Sequence, residues 1–117
     1  MNIQVTQEDI WNGKRGCGRK CAVALAVRRE LLKQGMDLHP YIESCGAIWL
    51  YNDYPLVVIC PTKDHDFTLE ITEDGELADV QAFIYDFDEA STTHPINFNA
   101  TIRINKWAKY YMRHYIQ

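Results

Sequence analysis

The chain has 117 residues, enough for one domain with a hydrophobic core. Its apolar fraction of 47% argues against wholesale disorder, and its longest apolar run, residues 21–27, is far too short to span a membrane. The first residues lack the basic segment and apolar run of a secretory signal, so we expect a soluble cytoplasmic protein whose four cysteines are free thiols or metal ligands rather than disulfides.

Charge is divided unevenly along the chain. The net charge is -4 overall, but it is +4 over residues 1–35, -11 over residues 36–105 and +3 over residues 106–117. Two explanations are open. Either the basic ends lie against the acidic middle and compensate it within the fold, or the surface is polarised and attracts a charged partner.

The N-terminal third predicts a strand and two helices. Ile3 and Val5 alternate with polar residues, which indicates a strand. Thr6, followed by acidic residues, predicts the N-cap of a short helix, and Gly13 predicts its end in a left-handed conformation. The apolar run that follows predicts a longer helix over residues 22–34, with a buried first half.

The rest of the chain predicts most of the sheet. Alternating or continuous apolar residues predict strands at 41–51, 54–60, 67–71 and 96–104, with a hairpin turn at 52–53 and helices at 76–88 and 106–117. The fold class expected is α+β. We expect a single domain over residues 1–117, with a mostly antiparallel sheet of four or five strands packed by three or four helices.

The loop sequence GKRGCGRKC, residues 13–21, is the densest chemical signal. Gly13 and Gly18 have the spacing of a P-loop, but the Ser or Thr and the preceding strand that a P-loop needs are missing. The next helix begins at Cys21 without a conventional cap, so its free N–H groups and the basic side chains predict an anion-receptive helix start. The alternative is a structural loop whose basic side chains stay in water. The predicted anion- or partner-binding residues are Lys14, Arg15, Arg19, Lys20, Cys21 and Arg28.

Cysteine chemistry offers two further interpretations of this loop. The helix start and its basic neighbours predict a lowered pKa for the thiol of Cys21, although no histidine lies close in sequence to act as a base. A zinc site is the other alternative, although two of its four cysteines do not form the usual tight pair. We assign no catalytic residue, cofactor or resident metal from the sequence. The zinc ligands in that alternative are Cys17, Cys21, Cys45 and Cys60.

The last predicted helix carries aromatic and basic side chains at helical spacing. Trp107 and Tyr111 share one face, and Lys109 and Arg113 share another. This pattern suits rings in the core, a protein interface or a contact with nucleic acid, and the acidic overall charge argues against the last. We expect these four residues to form a core or an interface.

Two stretches resemble a loose family of short, uncharacterised phage and prophage proteins. The first runs from VTQEDIWNGKRG through CAVALAVRR, although Ala22 stands where the family has Pro and Cys17 where it usually has Asp. The second is the pattern Phe-Ile-x-x-Phe-Asp at residues 83–88, followed by Pro95 and Phe98. The matching residues of the first stretch are Val5, Thr6, Asp9, Ile10, Gly13, Arg15, Gly16, Cys21, Ala24, Leu25 and Ala26.

The resemblance implies an origin in a phage or another mobile element, and it implies no activity or catalytic residue. With the polarised charge, it leads us to expect a small non-enzymatic phage accessory protein. Such a protein would bind a host protein or complex in the cytoplasm of the infected bacterium and inhibit a defence system. The alternative is binding or cleavage of a nucleotide or another phosphorylated small molecule at the basic loop.

Overall fold

Five strands and three helices are present in the computed structural model, which describes residues 1–51 and 67–104. Strand β1 and helices α1 and α2 come first, the hairpin of β2 and β3 follows, and β4, α3 and β5 complete the described chain. The elements are β1 (Asn2–Val5), α1 (Gln7–Asn12), α2 (Ala22–Lys33), β2 (His39–Ile42), β3 (Ile48–Tyr51), β4 (Phe67–Ile71), α3 (Asp74–Asp88) and β5 (Ile96–Ile104).

The five strands form one sheet in the order β1-β5-β4-β3-β2, and every neighbouring pair is antiparallel. Side chains alternate between the two faces of a strand, so the register decides which residues meet in the core. One face is consistently apolar across the sheet and packs against the helices. The apolar pairs in register are Ile3 with Phe98, Ile71 with Ala100, Leu69 with Ile102, Ile48 with Leu69 and Ile42 with Ile48.

Helix α2 packs against both β1 and β2, which are the two edge strands of the sheet. One helix touches both edges because the sheet curls around it, and α3 lies against β4 and β5. The curled sheet explains why the first half of α2 is apolar nearly all round, as a buried helix requires. The buried residues of α2 are Ala22, Val23, Ala24, Ala26, Val27 and Leu31.

The predicted α+β class and the antiparallel five-stranded sheet are confirmed. The strand at 54–60, the turn at 52–53 and the helix at 106–117 lie outside the described residues. The prediction of one continuous strand over 41–51 is wrong, because Gly46 (φ 91°) turns the chain between β2 and β3. Within the described ranges, no helix has the length and apolarity needed to cross a membrane.

The predicted capping of α1 is confirmed, but the conformation predicted for Gly13 is wrong. The backbone N–H of Asp9 donates to Oγ1 of Thr6 (3.2 Å), and the N–H of Thr6 donates to Oδ2 of Asp9 (2.9 Å). Gly13 is extended (φ -69°, ψ 149°) rather than left-handed. A Cβ there would lie 2.6 Å from the backbone nitrogen of Ala22, so glycine is required for close approach of α1 to α2.

The carboxylate of Asp9 also forms a buried ion pair that fixes α1 on α2. Arg29 donates to both of its oxygens, from Nη1 to Oδ1 (2.7 Å) and from Nη2 to Oδ2 (2.8 Å), and Nη2 also reaches the carbonyl of Gln4 (2.9 Å). The Asp9 residue is 4% exposed. Burial disfavours its charge, but the hydrogen bonds from Arg29 and Thr6 outweigh that effect and lower the pKa of Asp9.

Candidate functional site

The glycine-rich loop, residues 13–21, is held flat against the rest of the fold by its backbone. The N–H of Lys14 donates to the carbonyl of Lys20 (2.8 Å), which closes the loop, and the N–H of Ile42 donates to the carbonyl of Gly18 (2.9 Å). A Cβ on Gly18 would lie 2.5 Å from the carbonyl oxygen of Ile42 and 2.8 Å from the Tyr41 ring. Glycine is therefore needed where the loop lies on β2, and the basic side chains project from a fixed backbone.

Arg15 turns away from the other basic residues of the loop and contacts the end of α3. Its Nε donates to the carbonyl of Phe87 (3.1 Å), and the N–H of Gly16 donates to Oδ1 of Asp88 (2.9 Å). A cation beside the last carbonyls of a helix is favoured by the helix dipole. Arg15 therefore ties the loop to the end of α3.

Four of the predicted binding residues come together in one cleft of about 570 Å³, which we call the basic cleft. It lies between the loop, α2 and the start of β2. His39 also lines the cleft, and sequence reasoning missed it because it enters from β2 rather than from the loop. The basic side chains that line the cleft are Lys14, Arg19, Lys20, Arg28 and His39.

The remainder of the basic cleft is mainly apolar. Ala24, Leu25 and Pro40 line it, and Leu25 is half-exposed although most of its neighbours in α2 are buried. Asn12 adds one neutral polar group at the end of α1. The cleft therefore offers several positive charges around an apolar surface, which suits a ligand that combines an anion with an apolar part.

The cations of the basic cleft differ in how firmly they are held. Arg28 donates from Nη1 to Oδ1 of Asp37 (2.7 Å) and to the carbonyl of Leu38 (2.9 Å), so its guanidinium is fixed. The ammonium groups of Lys14 and Lys20 are exposed and have no hydrogen-bond or ion-pair partner in the described part of the chain. Over residues 1–51 and 67–104, no carboxylate lies within ion-pair distance of either ammonium group.

Among the described residues, Asp37 is the carboxylate that pairs with an arginine or lysine of the basic cleft, and its partner is Arg28. The hydrogen bond from Arg28 and the charges of Arg28 and His39 lower the pKa of Asp37. Its side chain is 72% exposed, so water screens the pair. An incoming anion therefore competes with a weakly held carboxylate for Arg28.

Cys21 begins α2 without a side-chain capping bond, as the sequence predicts, but it does not line the basic cleft. It is buried, and burial raises the pKa of its thiol to about 11, although the N–H groups of Val23 and Ala24 partly offset that effect. The prediction of a lowered Cys21 pKa is therefore wrong. Desolvation of the sulfur outweighs the helix dipole at this position.

The thiol with the lowered pKa is Cys17. Burial disfavours its thiolate, but the nearby backbone N–H groups of Arg19 and Lys20 and the charge of Arg19 favour the thiolate and outweigh that effect, so the pKa falls. The basic residues of the loop at 13–21 were the sequence signal for a thiol with a lowered pKa. The sequence did not show that Cys21 would be buried, whereas Cys17 would stay partly exposed beside Arg19.

Three of the four predicted zinc ligands, Cys17, Cys21 and Cys45, are free thiols that line a second cleft on the other side of the loop. Over residues 1–51 and 67–104, no three His, Cys, Asp or Glu side chains are arranged to hold a metal ion. Cys60 lies outside those ranges, so the four-thiolate site stays a prediction.

The predicted interface on the last helix also lies outside the described residues, at Trp107, Lys109, Tyr111 and Arg113. Comparisons of the chain with protein-family models, with curated proteins and with solved structures found no match.

Proposed function

We propose that the chain is a non-enzymatic phage accessory protein that binds an acidic segment of a host protein in its basic cleft and thereby inhibits a bacterial defence system. The observation that carries the binding role is the convergence of Lys14, Arg19, Lys20 and Arg28 on one cleft. Two of these cations have no partner in the described chain, so the fold gains nothing from placing them together. The phage origin and the host target rest on the sequence resemblance.

The charge of the whole chain favours a compact acidic partner over a nucleic acid. The basic cleft is a local positive site on a protein of net charge -4, and residues 36–105 alone carry -11. A long polyanion would meet that acidic surface as well as the cleft and be repelled by it. A short acidic peptide segment would interact with the cleft alone.

The apolar surface of the basic cleft supplies the second half of the recognition. Exposed ion pairs contribute about 0.2–1 kcal/mol each, so the lysines act mainly on the association rate and on partner choice. Covering the half-exposed Leu25 adds a hydrophobic contribution of about 25 cal/mol for each Å² removed from water. The expected partner segment therefore alternates Asp or Glu with Leu, Ile or aromatic residues.

Two fluorescent peptides test the binding chemistry directly. One alternates Glu with Leu, and the matched neutral control alternates Gln with Leu. We expect fluorescence anisotropy to rise only with the Glu peptide, and the affinity to fall as salt increases because exposed charges are screened. Equal binding of the two peptides would contradict the proposal.

A pair of charge reversals then assigns the binding to the cleft. Lys20→Glu removes a cation of the basic cleft, whereas Lys33→Glu makes the same change in the last turn of α2, outside the cleft. We expect Lys20→Glu to weaken binding of the Glu peptide by about tenfold and to reduce recovery of the host partner from bacterial lysate at low salt. Lys33→Glu retains both. Retention of both by Lys20→Glu would overturn the proposed site.

A phosphorylated small molecule is the second candidate ligand, because the volume of the cleft favours it. A cleft of about 570 Å³ lies within the size range of small-molecule sites, and Arg28 is held in place for a bidentate contact with a phosphate. Calorimetry with nucleoside monophosphates and cyclic dinucleotides tests this function. Nucleotide binding that Lys20→Glu abolishes, without binding of the Glu peptide, would replace the first candidate with the second.

A further inference from the structure

His39 brings a titratable group into the basic cleft from β2. Its side chain is 23% exposed, so the walls of the cleft shield it from most of the surrounding water. A histidine side chain ordinarily titrates at about pH 6.5, whereas lysine and arginine stay charged throughout the physiological range. Among the described side chains that line the cleft, His39 is therefore the one whose charge changes in that range.

The imidazole of His39 shares a carboxylate with Arg28. Nε2 of His39 lies 3.8 Å from Oδ1 of Asp37, and the same oxygen accepts a hydrogen bond from Nη1 of Arg28 (2.7 Å). The carboxylate favours a proton on His39 because it is an opposite charge within ion-pair distance. Its influence is small, since Asp37 is 72% exposed and makes its shorter contact with Arg28.

The remaining charges of the basic cleft oppose a proton on His39. Like charges disfavour one another, so a further positive charge is costly in a cleft that already holds four cations and no ligand. A bound carboxylate offsets those cations and removes much of that cost. The titratable and charged groups around His39 among the described residues are Lys14, Arg19 and Lys20 of the loop, Arg28 of α2, Asp37 before β2, and Tyr51, its partner in register on β3.

We propose that the basic cleft takes up a proton on His39 when it binds an acidic segment, an inference that rests on the binding role proposed above. Linkage makes the coupling reciprocal, so a proton on His39 tightens the binding of the segment by the same factor. The affinity of the cleft therefore rises as pH falls through the range in which His39 titrates. The cleft holds its partner more firmly in a mildly acidic medium than in a mildly alkaline one.

The pH dependence of peptide affinity tests the coupling. The Glu–Leu peptide, blocked at its ends, keeps its carboxylates ionised from about pH 6 to about pH 8. We expect its dissociation constant, measured by fluorescence anisotropy on the full chain at constant ionic strength, to fall about two- to sixfold from the upper to the lower pH. His39→Gln should lose this dependence, whereas His94→Gln should retain it, because His94 is exposed and lies outside the cleft.

Calorimetry on the wild-type chain measures the proton itself and stands even where His39→Gln fails to fold. Heats of peptide binding in buffers of different ionisation enthalpy give the number of protons taken up. We expect about a quarter to a half of a proton for each peptide bound at about pH 7. Binding that takes up no proton, or a pH dependence that His39→Gln retains, would overturn this inference and leave the proposed function intact.

A simple anion separates the coupling from the choice of partner. Absence of peptide binding at every pH would contradict the proposed function, and the coupling is then measured with sulfate, whose charge is constant over this range. The Cε1 proton signal of His39 is followed by NMR against pH, with sodium sulfate replacing sodium chloride at equal ionic strength. We expect His39 to titrate at a higher pH in sulfate. Identical titrations in the two salts would overturn the inference.

Discussion

Arg28 and Arg29 are adjacent in α2, yet they contribute to different parts of the molecule. Consecutive residues of a helix point about 100° apart. Arg29 faces α1 and β1 and makes a two-pronged contact with Asp9, whereas Arg28 faces β2 and pairs with Asp37 at the basic cleft. Both are arginine–carboxylate pairs with a shortest distance of 2.7 Å, so distance does not distinguish them.

The exposure of the partner carboxylate does distinguish the two pairs. The side chain of Asp9 is 6% exposed and that of Asp37 is 72% exposed. Breaking a buried pair leaves a charge without water or partner, whereas an exposed partner is replaced by solvent at little cost. Arg29 is therefore committed to the fold, and Arg28 is able to exchange Asp37 for an incoming anion.

The largest expected effect is that of Arg29→Ala, which leaves the Asp9 carboxylate buried and unpaired. Arg29 is itself 40% exposed, so water partly replaces it, and we expect the free energy of unfolding to fall by about 1.5–3 kcal/mol in urea denaturation. Lys33→Ala on the same helix is the control, and we expect it to cost at most about 1 kcal/mol, because Lys33 is exposed and interacts mainly with the helix dipole. Equal losses in the two variants would refute the distinction between buried and exposed pairs.

Gly13 lies between α1, which carries Asp9, and the glycine-rich loop. The variant Gly13→Ala tests how closely α1 packs against α2 at this position. The new Cβ would lie 2.6 Å from the nitrogen of Ala22 and 2.8 Å from the carbonyl oxygen of Asp9, and neither backbone atom moves easily. We expect a loss of about 1–3 kcal/mol, measured as the shift in urea midpoint. Gly75→Ala in α3 meets no atom within 4 Å and should stabilise by up to about 1 kcal/mol. An unchanged urea midpoint for Gly13→Ala would mean that α1 and α2 do not approach as closely as the 2.6 Å distance to Ala22 requires.

The pH dependence of stability should follow Asp9. Its pKa is lowered in the fold, so its contribution is complete above the pKa of an unfolded Asp, about 3.9, and is lost as pH falls through the lower pKa of the folded state. The loss is about 1.4 kcal/mol for each unit between the two pKa values. Unfolding free energies measured from neutral to acid pH should therefore fall more steeply for the wild type than for Asp9→Asn. Parallel curves would show that another group controls the acid transition.

The smallest expected effect on stability is that of Asp37→Asn, which removes the exposed partner of Arg28. We expect the urea midpoint to stay unchanged, because the carboxylate is surrounded by water. Affinity of the basic cleft for the Glu–Leu peptide should rise on the order of a few-fold, since the competing carboxylate is gone. Weaker peptide binding would mean that Asp37 positions Arg28 rather than competing for it.

Local sequence patterns predicted most of the fold because the deciding interactions are local. Alternation located β1, β4 and β5, and the capping residue located α1. The run over 41–51 was predicted as one strand because apolar residues dominate both of its ends. The turn depends on the positive φ of Gly46, and the polar Glu43 and Ser44 beside that glycine were the overlooked signal.

The candidate site was predictable only where its residues are close in sequence. Lys14, Arg19 and Lys20 share one loop, so their grouping was visible. Arg15 was placed with them, but its partner, the carbonyl of Phe87, lies 72 residues further along the chain. The Cys21 pKa was mispredicted for a related reason: only the fold shows that this sulfur is buried, so that desolvation opposes its thiolate.

The pairing of β1 with β5 also bears on the order in which the contacts of the fold form. The residues that line the basic cleft all lie between Asn12 and Pro40, so they leave the ribosome early. Asn2 pairs with Asn99, and the amino group of Met1 donates to the carbonyl of Ala100, 99 residues away. Such distant pairing is slow because a long loop must close first. We therefore expect the β1–β5 contacts to form after those of the basic cleft, so that β1 has an unpaired edge, which favours aggregation, until β5 joins it.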